Sequence, residues 1–395
     1  MNNKSTDKKR MLLFGLGYGH NVEGKLRTLN ENPIFEVDFL AYQLDVAFTN
    51  RYPQINYKPI SCLINIRHPL YSIKCFLYLL WLLRISNKYD IIYSLGIGGA
   101  ITSLIYMLAP NSTKKALEIW SVHIIDKAKN NKSLSEKSDR YVIDHADFVC
   151  QYWWGIKEHF IKSFPQYENK FVMYQLSYSD IYFSNERHSP TSEFAKDFLN
   201  KIPKEQKVCF WPRSFIPSNN HNLLIDSLGI IKRDRPELLD NFMLYLWVGN
   251  AESKVSRNII EETIIKNSLE NNVEIVEHPF VSQNDLFAIE ERSDFFVNIV
   301  NDDIFSTYIM EMICSRKPFL LSNIRTFQFL NEKYDLNIDL VENDAKVISD
   351  RIIKILSGND PISCEEYERR KKICTKHFSR SNVIIWYTIL FNKLQ

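Results

Sequence analysis

The sequence carries almost no net charge. Its 49 lysines and arginines stand against 47 acids, leaving +2, so no overall field argues for a nucleic-acid partner. It has no C-x-x-C pair. Cys62, Cys75, Cys150, Cys209, Cys314, Cys364 and Cys374 are scattered and odd in number, a pattern that suits reduced thiols in a cytosol better than a disulfide frame or a zinc site. No secretory signal is visible: MNNKSTDKKR is polar, and the MLLFGLG that follows has the length of a buried strand. No apolar run reaches bilayer length. The greasiest, Cys75–Leu83, has nine residues between Lys74 and Arg84 and cannot cross a membrane. Starting from Pro69 it reads as a buried helix, with a helix resting on a membrane surface as the sharper alternative. Internal repeats and low-complexity segments are also missing.

What is present is an alternation. With 395 residues the chain is long for one core and comfortable for two α/β domains. Short apolar strands at Met11–Leu16, Phe35–Tyr42, Tyr89–Ser94, Ala116–Val122 and Asp147–Gln151 are separated by helical segments. After a polar connection over Ser184–Gln206 the alternation restarts at Val208–Trp211, Leu244–Val248, Val273–Glu277, Phe295–Ile299 and Phe319–Leu321. The fold class is therefore α/β, with two Rossmann-like doubly wound domains over 1–188 and 189–378. The apolar, helically spaced residues of 379–395 form a C-terminal helix expected to return to the first domain. Two such sheets facing a central cleft place ligands at the carboxyl ends of their strands.

Two places carry candidate chemistry. GLGYGH (Gly15–His20) follows a strand and precedes a helix. There Gly17 and Gly19 let backbone approach a ligand, and His20 opens the helix. The third glycine of G-x-G-x-x-G is missing, so this is a weak dinucleotide fingerprint. A tight turn needed by the fold and an acceptor-side binding loop both remain open. The second place is the segment from Pro279 to Ser322. In it Asp303 lies in a loop after a strand, seven residues separate it from Glu311 on a helix, and Pro318 precedes the next strand. The turn Ile304–Tyr308, with Phe305, Ser306 and Thr307, offers N–H donors and a helix end to a diphosphate. Glu311, one helical turn after Thr307, is placed to accept from ribose hydroxyls. The plainer reading makes Ser306 an N-cap and Glu311 a solvated helix residue.

Asp303, seven residues, Glu311, with LFAIEERSDFFVNIV before it and Pro318 after it, resembles the GT-B glycosyltransferases of the large retaining family 4 type. KVCFWPRSFIPSNNHNLLIDSL resembles the family's strand, arginine and lysine ahead of a helix. Arg213 matches the arginine, and Asn219 stands where the lysine is expected. WVGNAESK resembles a strand-glycine turn opposite the nucleotide, with Gly249 in the turn and Lys254 as a substitute cation. DIIYSLGIGGA resembles a strand-to-glycine turn at the cleft. IWSVHIID resembles a strand ending in a histidine, which makes His123 a candidate to touch the sugar. Trp153 and Trp154 are candidates to line a sugar site, with buried packing as the plainer reading.

The resemblance implies transfer of a sugar from a nucleotide-diphosphate sugar donor, with retention, to a glycan or lipid-linked acceptor in cell-surface polysaccharide assembly. It implies His123, Asp303 and Arg213 as catalytic residues, and Glu311, Ser306, Thr307, Phe305, Lys254, Asn219 and Gly249 around the donor. It also implies a cytoplasmic location, at the inner membrane face if Cys75–Leu83 rests there. No cofactor and no metal are expected; a D-x-D is lacking, and Asp302–Asp303 does not have its spacing. Asp303, Asn219, Arg316 and Ser306 depart from the family pattern, and Asn219 and Arg316 motivate an alternative, a relative without turnover that binds a glycan or a partner. GLGYGH alone motivates a third reading, a Rossmann oxidoreductase.

Overall fold

The computed structural model describes residues 8–15, 20–31, 34–41, 52–59, 88–96, 100–119, 122–174, 189–248, 254–277, 283–303, 306–359, 362–379, 388–389 and 391–394. They form two compact units, Met1–Tyr178 with His377–Gln395, and Ser179–Lys376. The Pro69–Ile85 stretch lies outside the described residues. Among those described, no helix is long and apolar enough to cross a membrane.

The first unit is built on β1 (Lys9–Gly15), β2 (Phe35–Ala41), β3 (Ile55–Pro59), β4 (Ile91–Leu95), β5 (Lys114–Glu118), β6 (Phe148–Gln151) and β7 (Phe171–Met173). They make one seven-stranded sheet in the order β3-β2-β1-β4-β5-β6-β7, parallel at every pairing. The helices are α1 (His20–Glu31), α2 (Ala100–Leu108), α3 (Val122–Asn130), α4 (Leu134–His145) and α5 (Trp154–Ser163). Met11 through Gly15 and Ile91 through Leu95 are buried without alternation, as a parallel sheet covered on both faces requires. The short edge strands β3 and β7 were not expected. INYKP alternates weakly and ends in proline, and FVM is too short to show a period.

One expectation is corrected here. Ala116–Val122 is not a strand: β5 stops at Glu118, where pairing with β6 ends at Cys150. Val122 then opens α3, whose Ile125 and Ala128 are buried three residues apart, a helical and not a strand period. His123 therefore sits in the first turn of a helix. From the chain's end, Phe391 and Leu394 join the core of this sheet, Phe391 meeting Phe35 edge-on at 6.2 Å.

Within this core lies a buried charged cluster. Lys25, on α1, donates to Glu118 Oε1 (3.2 Å) and to the Tyr174 hydroxyl (3.1 Å). The hydroxyls of Tyr93 and Tyr174 both donate to Glu118 at 2.6 Å. Burial lowers the Lys25 pKa, and the facing Glu118 opposes that shift.

The second unit contains α6 (Glu193–Lys201), β8 (Lys207–Trp211), α7 (His221–Asp234), β9 (Phe242–Val248), α8 (Lys254–Lys266), β10 (Val273–Glu277), α9 (Gln283–Arg292) and β11 (Phe296–Asn298). It continues with α10 (Thr307–Ile313), β12 (Phe319–Ser322), α11 (Arg325–Tyr334), β13 (Leu340–Val341), α12 (Ala345–Leu356) and α13 (Cys364–Phe378). Two parallel sheets, β10-β9-β8 and β11-β12-β13, are joined by a parallel bridge between Cys209 and Phe295. The joined order is β10-β9-β8-β11-β12-β13. Each half is wound outward from the β8/β11 seam, so that seam is a topological switch point. The polar connection before α6 is anchored by the Asp285 carboxylate, which accepts from the Thr191 and Ser192 amides (2.6 and 3.1 Å) and the Thr191 hydroxyl (3.0 Å).

Candidate functional site

The loops leaving β8 and β11 meet at this switch point. The first, residues 212–220, folds tightly on itself. Asn219 is buried; its amide donates to the Ser214 carbonyl (2.7 Å) and its oxygen accepts from Arg213 (3.4 Å). Asn219 thus shapes the loop that presents Arg213 and does not replace a cation. Asn220 adopts the left-handed region (φ 44°) to start α7, a conformation asparagine tolerates better than most residues. Asn220 and Asn301 exchange two side-chain amide bonds of 2.8 Å each, and the Asn301 backbone N–H donates to the Ser218 carbonyl (2.7 Å). The two loops are therefore held in register by direct bonds.

His221 is the floor of this loop. It is 3% exposed, stacked on Trp211 at 4.3 Å and edge-on to Phe215 at 4.8 Å, and its Nε2–H donates to the Arg213 carbonyl at 3.2 Å. Burial pushes its pKa down to about 3. The unfolded chain titrates near 6.5, so between about 6.5 and about 3 it binds the proton that the folded chain refuses. Stability contributed by this residue is full above about 6.5 and falls with pH by up to about 1.4 kcal/mol per unit. Denaturant unfolding at pH 7 and pH 5 should show this slope in the parent and a shallower one in His221→Gln.

Asp303, 6% exposed, takes two hydrogen bonds on Oδ2, from Arg213 Nη2 (3.0 Å) and Asn298 Nδ2 (3.1 Å). Its carbonyl accepts from the Thr326 hydroxyl (2.7 Å). Among the described residues none donates to Oδ1. Three buried polar atoms around this pair have no partner: Arg213 Nε, Asn298 Oδ1 and Ser306 Oγ. Ser306 has the backbone of an N-cap for α10, yet its side chain makes no capping bond, so the plain capping reading of its hydroxyl is corrected. Unsatisfied buried polar groups are costly; two of these three belong to Arg213 and to Asn298, the residues that hold Asp303 Oδ2. Asp302 is raised by burial and by the adjacent Asp303 carboxylate.

Glu311 is 6% exposed, not a solvated helix residue. Across from it stands Glu290 of α9, 2% exposed. Arg316 has a separate role: it pairs with Glu368 at 3.2 Å and lies over Tyr367 at 4.7 Å. In α13, Glu366 pairs with Arg370 at 3.2 Å.

Gly17, Gly19, Gly249 and Phe305 lie outside the described residues. So do the side chains of His20, His123, Lys254 and Thr307; their backbones place His20 and His123 in the first turns of α1 and α3, and Lys254 and Thr307 at the first residues of α8 and α10. Trp154 donates to Glu158 (2.6 Å) one turn along its own helix, with the Lys157 ammonium over its ring. The residues missed in the sequence are Asn298, Thr326, Asn301 and Glu290. Asn298 ends a strand and Glu290 sits on the inner face of an ordinary helix, so no spacing singles them out. Among the described residues, no group of three or more His, Cys, Asp or Glu is placed to hold a metal ion.

The architecture is shared by known structures. No protein-family model matches the sequence, and no curated protein matches it by sequence. Solved structures match over the whole chain. A glycosyltransferase from Rickettsia africae is 14% identical with TM-score 0.68, covering 98% of both chains. The sucrose-phosphate synthase of Thermosynechococcus elongatus is 13% identical with TM-score 0.69, covering 98% of this chain and 99% of its own. Anabaena HepE, solved in complex with UDP-glucose, is 11% identical with TM-score 0.69, covering 97% and 99%. The chain has the GT-B fold, with two Rossmann-like units.

Proposed function

We propose that this protein is a glycosyltransferase that takes a sugar from a nucleotide-diphosphate sugar, with a UDP-sugar as the first candidate because HepE was solved with UDP and UDP-glucose. The observation that carries the reading is the Arg213–Asp303 pair at the β8/β11 switch point, flanked by the unpartnered Arg213 Nε and Ser306 Oγ. Arg213 neutralises the charge that grows on the departing diphosphate, and Ser306 donates to it. Asp303, with Oδ2 held, offers Oδ1 to a hydroxyl of the donor sugar. Glu311 accepts from the ribose diol, and Phe305, Thr307, Gly249 and Lys254 stand around the nucleotide.

The N-terminal unit, with Gly17, Gly19, His20 and His123, takes the acceptor, a glycan or lipid-linked saccharide of cell-surface polysaccharide assembly. Transfer proceeds with retention and without a metal. Cys75–Leu83 brings the enzyme to the inner face of the membrane if it rests there. Titrating UDP, GDP and ADP while following the melting transition tests the donor site. A ligand at one hundred times its Kd stabilises by about 2.7 kcal/mol, a shift of several degrees. No shift with any of the three at millimolar concentration would sink the reading.

A further inference from the structure

Asn298 is the last residue of β11 and is fully buried. Its Nδ2 donates to Asp303 Oδ2 at 3.1 Å, beside the 3.0 Å bond from Arg213 Nη2 to the same oxygen. Its Oδ1 is buried and has no donor among the described residues. An asparagine kept only for the sheet end would satisfy both halves of its amide, since an unmet buried acceptor costs stability. Valine would fill the place as a better strand former with no polar atom to satisfy. What asparagine supplies there and valine lacks is the bond to Asp303.

The groups that hold Asp303 come from three elements. Arg213 reaches it from the loop after β8, Asn298 from the end of β11, and the Thr326 hydroxyl, on α11, donates to its carbonyl at 2.7 Å. Thr326 thus fixes the backbone, and the other two fix the carboxylate. Rotation of a carboxylate about its Cβ–Cγ bond is soft, so one bond to one oxygen orients it weakly. With Oδ2 held from two sides, exchanging the two oxygens breaks both bonds. Arg213 alone is a poor clamp, because its guanidinium is also the group placed to meet the diphosphate. Asn298 sits on a strand, carries no charge, and holds Asp303 without neutralising it.

We propose that Asn298 is a positioning residue of the donor site: its Nδ2–H holds Asp303 Oδ2 and so keeps Oδ1 turned to the donor-sugar hydroxyl, whether or not Arg213 is engaged by diphosphate. This rests on the reading of Asp303 as the residue that accepts from the donor sugar. Asn298 acts through Asp303 and touches neither nucleotide nor sugar.

The experiment is calorimetry of the full-length protein with UDP and with UDP-glucose, the ligand of the similar HepE structure. The proteins are the parent, Asp303→Ala, Asn298→Val and the double variant. UDP lacks the sugar, so it reports the rest of the site. Asp303→Ala should lower the affinity for UDP-glucose relative to UDP by about tenfold, the worth of a hydrogen bond to a charged group. Asn298→Val should show most of that loss, with UDP itself bound as in the parent. The double variant should show the same ratio as Asp303→Ala, because residues acting as one unit do not add.

The proposal fails if Asn298→Val keeps the parent's ratio while Asp303→Ala loses it. It fails if the two losses add in the double variant. It fails too if Asn298→Val loses UDP as strongly as UDP-glucose, which is what a residue needed only for folding would do. If Asp303→Ala keeps the parent's ratio, or if the parent does not bind UDP-glucose, the donor-sugar reading of Asp303 falls and this inference with it. Should Asn298→Val not fold, Asn298→Ala is judged by the same criteria.

Discussion

Arg213→Ala should lower kcat by about 10²–10³-fold, the loss seen when one preorganised donor to a developing oxyanion is removed. The argument is local. Arg213 sits two residues beyond β8, its Nη2 is taken by Asp303 at 3.0 Å, and its Nε is buried with no partner. A buried donor without an acceptor is an unfavourable state unless a ligand completes it. Arg213→Lys should recover little, because a point charge cannot hold Asp303 and a diphosphate oxygen together as the planar fork does.

Asp303 keeps its bond from Asn298 in either variant, so the loops should stay folded and the loss should appear in turnover before it appears in melting. Steady-state kinetics with the donor identified by the titration above, alongside thermal unfolding of each variant, gives both readouts. A kcat within threefold of the parent in Arg213→Ala would remove this residue from the chemistry.

The largest loss of stability should follow Lys25→Ala. Lys25 and Glu118 have fully buried side chains 3.1 Å apart, and deleting the lysine takes that charge away from Glu118 while the Tyr93 and Tyr174 hydroxyls still donate to it. Breaking a buried pair by removing one partner costs about 3–5 kcal/mol. For a unit of this size that is roughly a 6–20 °C drop in its melting transition. Lys25→Met combined with Glu118→Gln should recover most of it, since replacing both charges removes the desolvation cost along with the attraction. If Lys25→Ala melts as the parent does, the ion pair holds nothing. Differential scanning calorimetry is the suitable measurement, because two units need not unfold as one transition.

Residue periods alone were enough to read an α/β chain and most of its inner parallel strands. Val208–Trp211 was read within one residue of β8 (Lys207–Trp211), which is buried after its first residue, because buried parallel strands are written as apolar runs between turn residues. The edge strands β3 and β7 were not legible, since an edge needs less apolar sequence. The end of β5 was not legible either: WSVHII continues an apolar run, and only the short partner strand β6 decides that pairing stops at Glu118. His123 moved from a strand to a helix for that reason.

In the candidate site, Asp303, Glu311 and Arg213 were named by the resemblance to the GT-B pattern and not by spacing alone. The tertiary structure decided what each does next. Asp303 and Arg213 are 90 residues apart and are joined because β8 and β11 meet at the switch point. Asn219 looked like a substituted cation and proved to be the clasp of the Arg213 loop. Glu290 carried no signal in the sequence and is buried, at 2% exposure. Local sequence determines periodicity and therefore elements, whereas ion pairing and an orphaned donor depend on which elements the topology sets side by side.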